Sequence, residues 1–161
     1  MPLGEMKPLF NRGTPEKPAP SAPQPHTPKA ARIEQIVREF LRVLGLAPLA
    51  MGRGEYLASL DGVGLLRRMV IDLMQEKNGI GPVRGSALHV NVHLTPEQRR
   101  ALEALPPLSA NRESLLAMNT AMWRIFRPLA QELCAQTGAP WPSAFDDATR
   151  RHLARELGLE I

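Results

Sequence analysis

Residues 111–142 constrain the fold more than any other part of the chain. They read NRESLLAMNTAMWRIFRPLAQELCAQTGAPWP, with apolar residues at three- and four-residue steps, the period of an amphipathic α-helix. The apolar face consists of Leu115, Met118, Met122, Phe126, Leu129 and Leu133, widened by Leu116, Trp123, Ala130 and Cys134. Asn111 is expected to cap the first turn, and Gly138 to provide a left-handed exit. The sequence therefore predicts a long buried helix with both ends defined.

Pro128 interrupts this helical pattern. A proline inside a helix has no N–H to donate and clashes with the preceding turn. A kink or a split is therefore expected near residues 124–127.

Four further segments carry helical signals. A helix is predicted from Ile33 to a stop at Gly45, and a second has its apolar stripe at residues 65–74. Thr95, followed by a proline and a glutamine, predicts a capping box and a short third helix. Ser143 with Asp146 is expected to cap the last helix.

The segment before the stripe at 65–74 is harder to interpret, because it contains several glycines: Gly52, Gly54, Gly62 and Gly64. Each glycine weakens a helix by up to about 1 kcal/mol relative to alanine. Such spacing is typical of close helix packing, but a break near Asp61 is equally compatible with it. Both interpretations remain open at the level of sequence.

Residues 79–94 give the weakest helical signal of the C-terminal part. Leu88, Val90, Val92 and Leu94 alternate with polar residues, which predicts an extended segment. His89 and His93 would share a face there, so a metal site is one interpretation. No third ligand lies nearby in sequence, and histidines on a polar surface are the favoured interpretation.

The pattern as a whole predicts an all-α fold, a helical bundle of about five helices. An extended, proline-rich leader is predicted for residues 1–28, because residues 14–28 have a proline at nearly every second or third position and no large apolar residue. Residues 29–161 are predicted to form the helical domain. No internal repeat is evident, which argues against a solenoid.

Composition narrows the function classes. The net charge of +4 and the 4% aromatic content offer neither a dense basic face nor many stacking platforms, so nucleic acid is not favoured as a partner. A single cysteine excludes an internal disulfide framework and suits a reducing compartment. No signal peptide or membrane-spanning stretch is recognisable, so a cytoplasmic location is expected.

The sequence does not assemble a catalytic or metal site. Cys134 lies on the core side of its predicted helix, where a buried small hydrophobe is the favoured interpretation over a nucleophile. Asp146 and Asp147 are adjacent and would point about 100 degrees apart on a helix, so they cannot act as facing carboxylates. The Gly85–Ser86 pair is part of neither a phosphate loop nor a dinucleotide turn.

Polar residues embedded among apolar ones are the candidate binding residues. The candidates are Arg53, Glu55, Asn119, Trp123 and Arg127. For any one of them the plainer interpretation is a helix-surface interaction, such as the ion pair expected between Arg68 and Asp72. The functional interpretation is that Trp123 and its polar neighbours line one wall of a cleft shared with another domain.

The order of features resembles the C-terminal helical region of aminoglycoside adenylyltransferases and related nucleotidyltransferases. The resemblance covers most of residues 33–159. It is carried by GRGEYLASLDGVGLLRRMVIDLM, by the helix at 111–142 with its terminal Trp-Pro, and by DDATRRHLARELG. The N-terminal PLGEMKPLFNRG resembles the segment that follows the catalytic half of that family.

This resemblance implies an accessory, acceptor-binding domain. In that family a separate sheet domain holds ATP and Mg²⁺ through a Gly-Ser loop and an Asp-x-Asp pair, and AMP passes to a hydroxyl of the acceptor. This chain has no Asp-x-Asp, and its Gly85–Ser86 lies after the first helices, so the catalytic domain is expected to lie outside it. The expected partners are that catalytic domain and a small-molecule acceptor. The alternative is a helical protein-interaction or dimerisation module without enzymatic activity.

Overall fold

Seven helical elements, five of them eight residues or longer, occupy residues 26–81 and 90–161, the part of the chain that the computed structural model describes. They are α1 (Ala30–Gly45), α2 (Ala47–Gly52), α3 (Tyr56–Lys77), α4 (Val90–His93), α5 (Pro96–Glu103), α6 (Arg112–Thr137) and α7 (Ser143–Leu157). The predicted all-α class with about five main helices is confirmed for these residues. Within the same ranges, no helix is long and apolar enough to cross a membrane.

The long helix α6 is the centre of the domain. The Asn111 side chain accepts a hydrogen bond from the Ser114 N–H at 2.9 Å, and Gly138 ends the helix with φ 75°, so both predicted ends are confirmed. Of the kink or split expected near residues 124–127, the split did not form, because the helix continues through Pro128. Pro128 is exposed, while Phe126 and Ala130 on either side of it are buried, so core packing holds both turns in place.

The core forms where α6 packs against α1 and α3. Phe40 of α1 and Phe126 of α6 are fully buried, and their rings stack with centroids 3.5 Å apart and planes 5° apart. Trp123 lies beside both rings and is 4% exposed. These three aromatic residues hold α1 against the middle of α6.

Helix α3 is continuous, so the break near Asp61 did not form. Ser59, Val63 and Leu66 are buried on one side of it. Gly62 and Gly64 lie on the same helix, and a methyl group added at either would have no atom of a neighbouring element within 4 Å, so neither marks close helix packing. The buried face therefore outweighs the weak helix propensity of two glycines.

An extended segment was predicted up to residue 94. Within the described residues this prediction is wrong, because residues 90–93 form helix α4. Val92 is 78% exposed rather than buried on an alternating face. The short turn precedes the Thr95 capping box, which is confirmed by reciprocal hydrogen bonds with Gln98 at 2.9 and 3.2 Å. Asn78 anchors this turn to the end of α3 by donating to Gln98 at 2.7 Å. Residues 82–89, including His89, lie outside the described residues.

The last helix begins differently from the expected pattern. Pro142 occupies the N-cap position, and no side chain caps the first turn. Asp146 is instead buried and accepts hydrogen bonds from Trp141 Nε1 and Arg150 Nε, both at 3.2 Å. The expected Ser143 and Asp146 cap is therefore wrong, because the carboxylate is used to fix the Pro-Trp-Pro corner against α7.

The residues just before α1 are tied to the end of α3. The His26 N–H donates to the Gly79 carbonyl at 3.2 Å, and its ring Nε2 lies 2.7 Å from Glu76 Oε2. Gly81 has φ +60°, and a Cβ there would lie 2.5 Å from the His26 ring, so only glycine fits. The predicted extended leader falls outside the described residues for positions 1–25.

Candidate functional site

An apolar groove of about 360 Å³ lies between the C-terminal end of α1, helix α2 and the first half of α3, with Asn119 of α6 in its wall. Helix α1 ends at Gly45, and Leu46 leads directly into α2, which packs on α3 and α7. Gly54, with φ +70°, then turns the chain into α3. This tight helix–turn–helix arrangement leaves the groove open on one side of α2.

Small side chains make the room in this groove. Its lining includes Ala47, Ala50, Ala58 and Gly62, from α2 and α3, and larger apolar residues complete the wall. A methyl group added at Gly62 would have no neighbouring atom within 4 Å, so the space next to this glycine is empty. The sequence pattern indicated Gly62 only as a weak helix residue. Its place in the groove depends on α2, which no local pattern reveals.

Asn119 is the unusual residue of this groove. Its side chain is 2% exposed, yet no hydrogen bond to its amide forms within the described ranges. Ser59, the other buried polar residue of the lining, donates its hydroxyl to the Glu55 carbonyl at 3.0 Å and is satisfied. Asn119 therefore presents an unused donor and an unused acceptor to an otherwise apolar wall.

Charged groups of the groove lie at its rim. Asp61 is exposed, and Arg42 forms hydrogen bonds at 2.6 and 2.8 Å with Glu39, outside the groove. The hydrogen bond from Arg42 holds the pKa of the Glu39 carboxyl below its usual range. The groove therefore has an uncharged interior and a rim of mixed charge.

Trp123 and Arg127 lie in a different place, beside an open pocket of about 370 Å³ along α6. Trp123 is a core residue whose edge reaches this pocket, and the Arg127 guanidinium lies 5.9 Å from the centre of its ring. Arg127 Nε is also 3.9 Å from Asp146 Oδ2. Both contacts are consistent with a structural role for Arg127 in holding α7 and the Trp123 ring.

Arg53 and Glu55 are exposed in the connection between α2 and α3, and neither lines the groove. The five candidate binding residues therefore lie in three places, and only Asn119 faces the apolar groove. The expected surface ion pair of Arg68 with Asp72 is present at 3.1 Å.

Cys134 and the metal-ligating residue types were the sequence features closest to catalytic or metal chemistry. Cys134 is 5% exposed, and burial, with a smaller effect from the charge of Glu34, raises the pKa of its thiol. This agrees with the interpretation of Cys134 as a small hydrophobe. Among the residues that the structure describes, no three His, Cys, Asp or Glu side chains are grouped to hold a metal ion.

Comparisons of the chain with protein-family models, curated proteins and solved structures give no match. The resemblance to the helical region of nucleotidyltransferases therefore stays a prediction. The groove and its buried amide are the features from which a function is best inferred.

Proposed function

We propose that the chain is a non-catalytic, ligand-binding helical domain whose ligand occupies the groove at Asn119. The groove volume of about 360 Å³ lies within the range of roughly 300–1,000 Å³ that is usual for small-molecule sites. An apolar lining with one well-placed polar group is also typical of such sites.

The buried amide of Asn119 carries this proposal. The amide atoms of Asn119 are reached from the groove, and no hydrogen bond to them forms within the described ranges, so groove water is their partner in the free chain. A ligand amide that replaces this water keeps the hydrogen bonds and adds contacts with the apolar wall. This gives a physical reason for an asparagine at this position.

Acceptor binding for a nucleotidyltransferase is a narrower form of the same proposal. It requires ATP and Mg²⁺ to be held by a separate catalytic domain, and the chain itself to supply only the acceptor site. The apolar lining favours an apolar acceptor over a polycationic aminoglycoside, because fixed charges lose hydration on entering such a groove.

Filling the groove should abolish binding. In Gly62→Leu the new side chain enters open space in the groove, so the affinity for the apolar dye Nile red is expected to fall about ten-fold or more. Gly64→Leu is the matched control, because it makes the same change two residues away at an exposed position outside the groove lining. This variant should bind the dye with the affinity of the unmodified protein. Fluorescence titration measures both affinities.

The two variants should fold equally well. Each replaces a helical glycine, which is expected to raise stability by up to about 1 kcal/mol. Circular dichroism with thermal melting checks this. Equal Nile red affinities for two well-folded variants would contradict the proposal.

A second candidate function, self-association, is favoured by exposed leucines in and around the groove segment. We call them the leucine surface; they are Leu46, Leu49, Leu57 and Leu65, which are 47%, 52%, 73% and 54% exposed, and Leu46 and Leu65 also line the groove. Four of the seven exposed large hydrophobic residues in the described ranges therefore fall within residues 46–65. Exposed apolar residues concentrated in one segment favour a protein contact site.

Self-association predicts a concentration-dependent mass. In size-exclusion chromatography with light scattering, the unmodified chain should shift towards a dimer as concentration rises. Leu49→Glu combined with Leu57→Glu should remain monomeric, because each places a charge in the contact. Val92→Glu, at a residue 78% exposed outside the leucine surface, is the control and should still dimerise. An unmodified chain that is monomeric at every concentration would contradict this candidate.

A further inference from the structure

We infer that the groove selects uncharged ligands that carry a primary amide at one end of an apolar body. This inference rests on the proposed function and specifies the ligand class of the same site. It follows from three properties of the groove: the free amide, the uncharged interior and the small side chains of the wall.

The free amide sets the type of polar group. Asn119 offers one carbonyl acceptor and two N–H donors, and none of them is used within the described chain. A primary amide of the ligand has an N–H on the same side as its carbonyl oxygen, so it offers the reciprocal donor and acceptor and two hydrogen bonds can form side by side. A ketone or an ether, which only accepts, would leave the Asn119 carbonyl oxygen without a donor.

The uncharged interior excludes ionised ligands. Of the lining residues, only Arg42 and Asp61 are ionisable; Arg42 is bonded to Glu39, and Asp61 is exposed at the rim. A carboxylate or ammonium group placed at Asn119 would lose its hydration without gaining an opposite charge. Selection against charge is therefore expected to be stronger than selection for any particular apolar body.

The wall sets the shape of the apolar body. Alanines and Gly62 leave a smooth, narrow surface, and Met51 is a flexible side chain that adapts to the ligand. An unbranched alkyl chain fits this arrangement. Each added methylene that remains in contact with the wall should raise the affinity about four-fold.

Isothermal titration calorimetry at pH 7 with hexanamide, octanamide, octanoate and octylammonium tests the inference. Octanamide is expected to bind about ten-fold or more tightly than either charged compound, and hexanamide more weakly than octanamide. In Asn119→Leu, the affinity for octanamide should fall about ten-fold, while the melting temperature should not decrease, because the amide forms no hydrogen bond within the described chain. Gln131→Leu, the same type of change at an exposed position on α6, should leave octanamide binding unchanged.

The outcomes separate the ligand class from the proposed function. If Nile red binds in the groove but octanoate binds as tightly as octanamide, the ligand class is overturned and the proposed function stands. Unchanged octanamide binding in a folded Asn119→Leu variant overturns the role of the amide. If neither Nile red nor any alkyl compound binds, both proposals are overturned.

Discussion

Replacing Phe126 with alanine is expected to lower the free energy of unfolding by about 3–5 kcal/mol. The ring is fully buried in the middle of α6, stacks on Phe40 at 3.5 Å and lies 6.3 Å from the Trp123 ring. Its loss leaves a cavity at the point where α1 and α6 meet, and rigid helices on both sides limit collapse into that cavity. Because small domains are stable by only about 5–15 kcal/mol, the change should remove a large share of the total.

Urea unfolding followed by circular dichroism measures this effect. Leu57→Ala is the control, since Leu57 is 73% exposed and its loss should change stability by no more than about 0.5 kcal/mol. In the Phe126→Ala variant, the emission of the buried Trp123 should also shift towards longer wavelengths at lower urea concentrations than in the unmodified protein. A loss below about 1 kcal/mol would show that the stacked aromatic residues do not organise the core.

The parts of the fold that the sequence predicted are those determined by local signals. The period of α6, its Asn111 cap, its Gly138 exit and the Thr95 capping box each depend on residues within about one turn of one another. Such signals act before tertiary contacts form, so they can be read from a single segment.

The errors arose where tertiary contacts outweigh local preference. Residues 90–93 alternate in polarity but form a helical turn, because the chain there closes onto the end of α3 through Asn78, which also donates to the His93 carbonyl at 2.9 Å. Asp146 stands in a capping position but pairs with Trp141 and Arg150. Neither partner choice can be deduced from spacing along the chain.

The candidate site was predictable only in part, for the same reason. Asn119 was recognisable as a polar residue within an apolar helical face. The groove that it faces is assembled mainly from α1, α2 and α3, far away in sequence. For Gly62 the glycine spacing indicated close helix packing or a break, and neither interpretation points to a groove, because a glycine that opens a groove and a glycine that merely weakens a helix look identical in sequence.

Replacing Arg32 with alanine is expected to destabilise the domain by about 2–3 kcal/mol, because a carboxylate nearby is buried. Glu76 is 2% exposed, and Arg32 Nε lies 3.8 Å from its Oε1. Arg32 is the permanently charged partner of Glu76, whereas His26 carries a charge only when protonated. Arg32 also donates a hydrogen bond to Asp72 at 3.5 Å, but Asp72 keeps its ion pair with Arg68 when Arg32 is replaced. Since Arg32 is about one-third exposed, water offsets part of the loss, which places the effect below that of a fully buried pair.

A double-mutant cycle distinguishes a buried unpaired charge from a simple loss of packing. Arg32→Met and the double variant Arg32→Met with Glu76→Leu keep the same methionine stem and differ only at the carboxylate, so the double variant should be more stable than Arg32→Met by about 1–2 kcal/mol. Arg38→Ala is the control: it breaks an exposed 2.8 Å pair with Glu34 on the same helix and should cost at most about 0.5 kcal/mol. Urea unfolding measures the stability of every variant. A double variant as unstable as Arg32→Met would show that the buried carboxylate is not the source of the cost, because removing it would bring no relief.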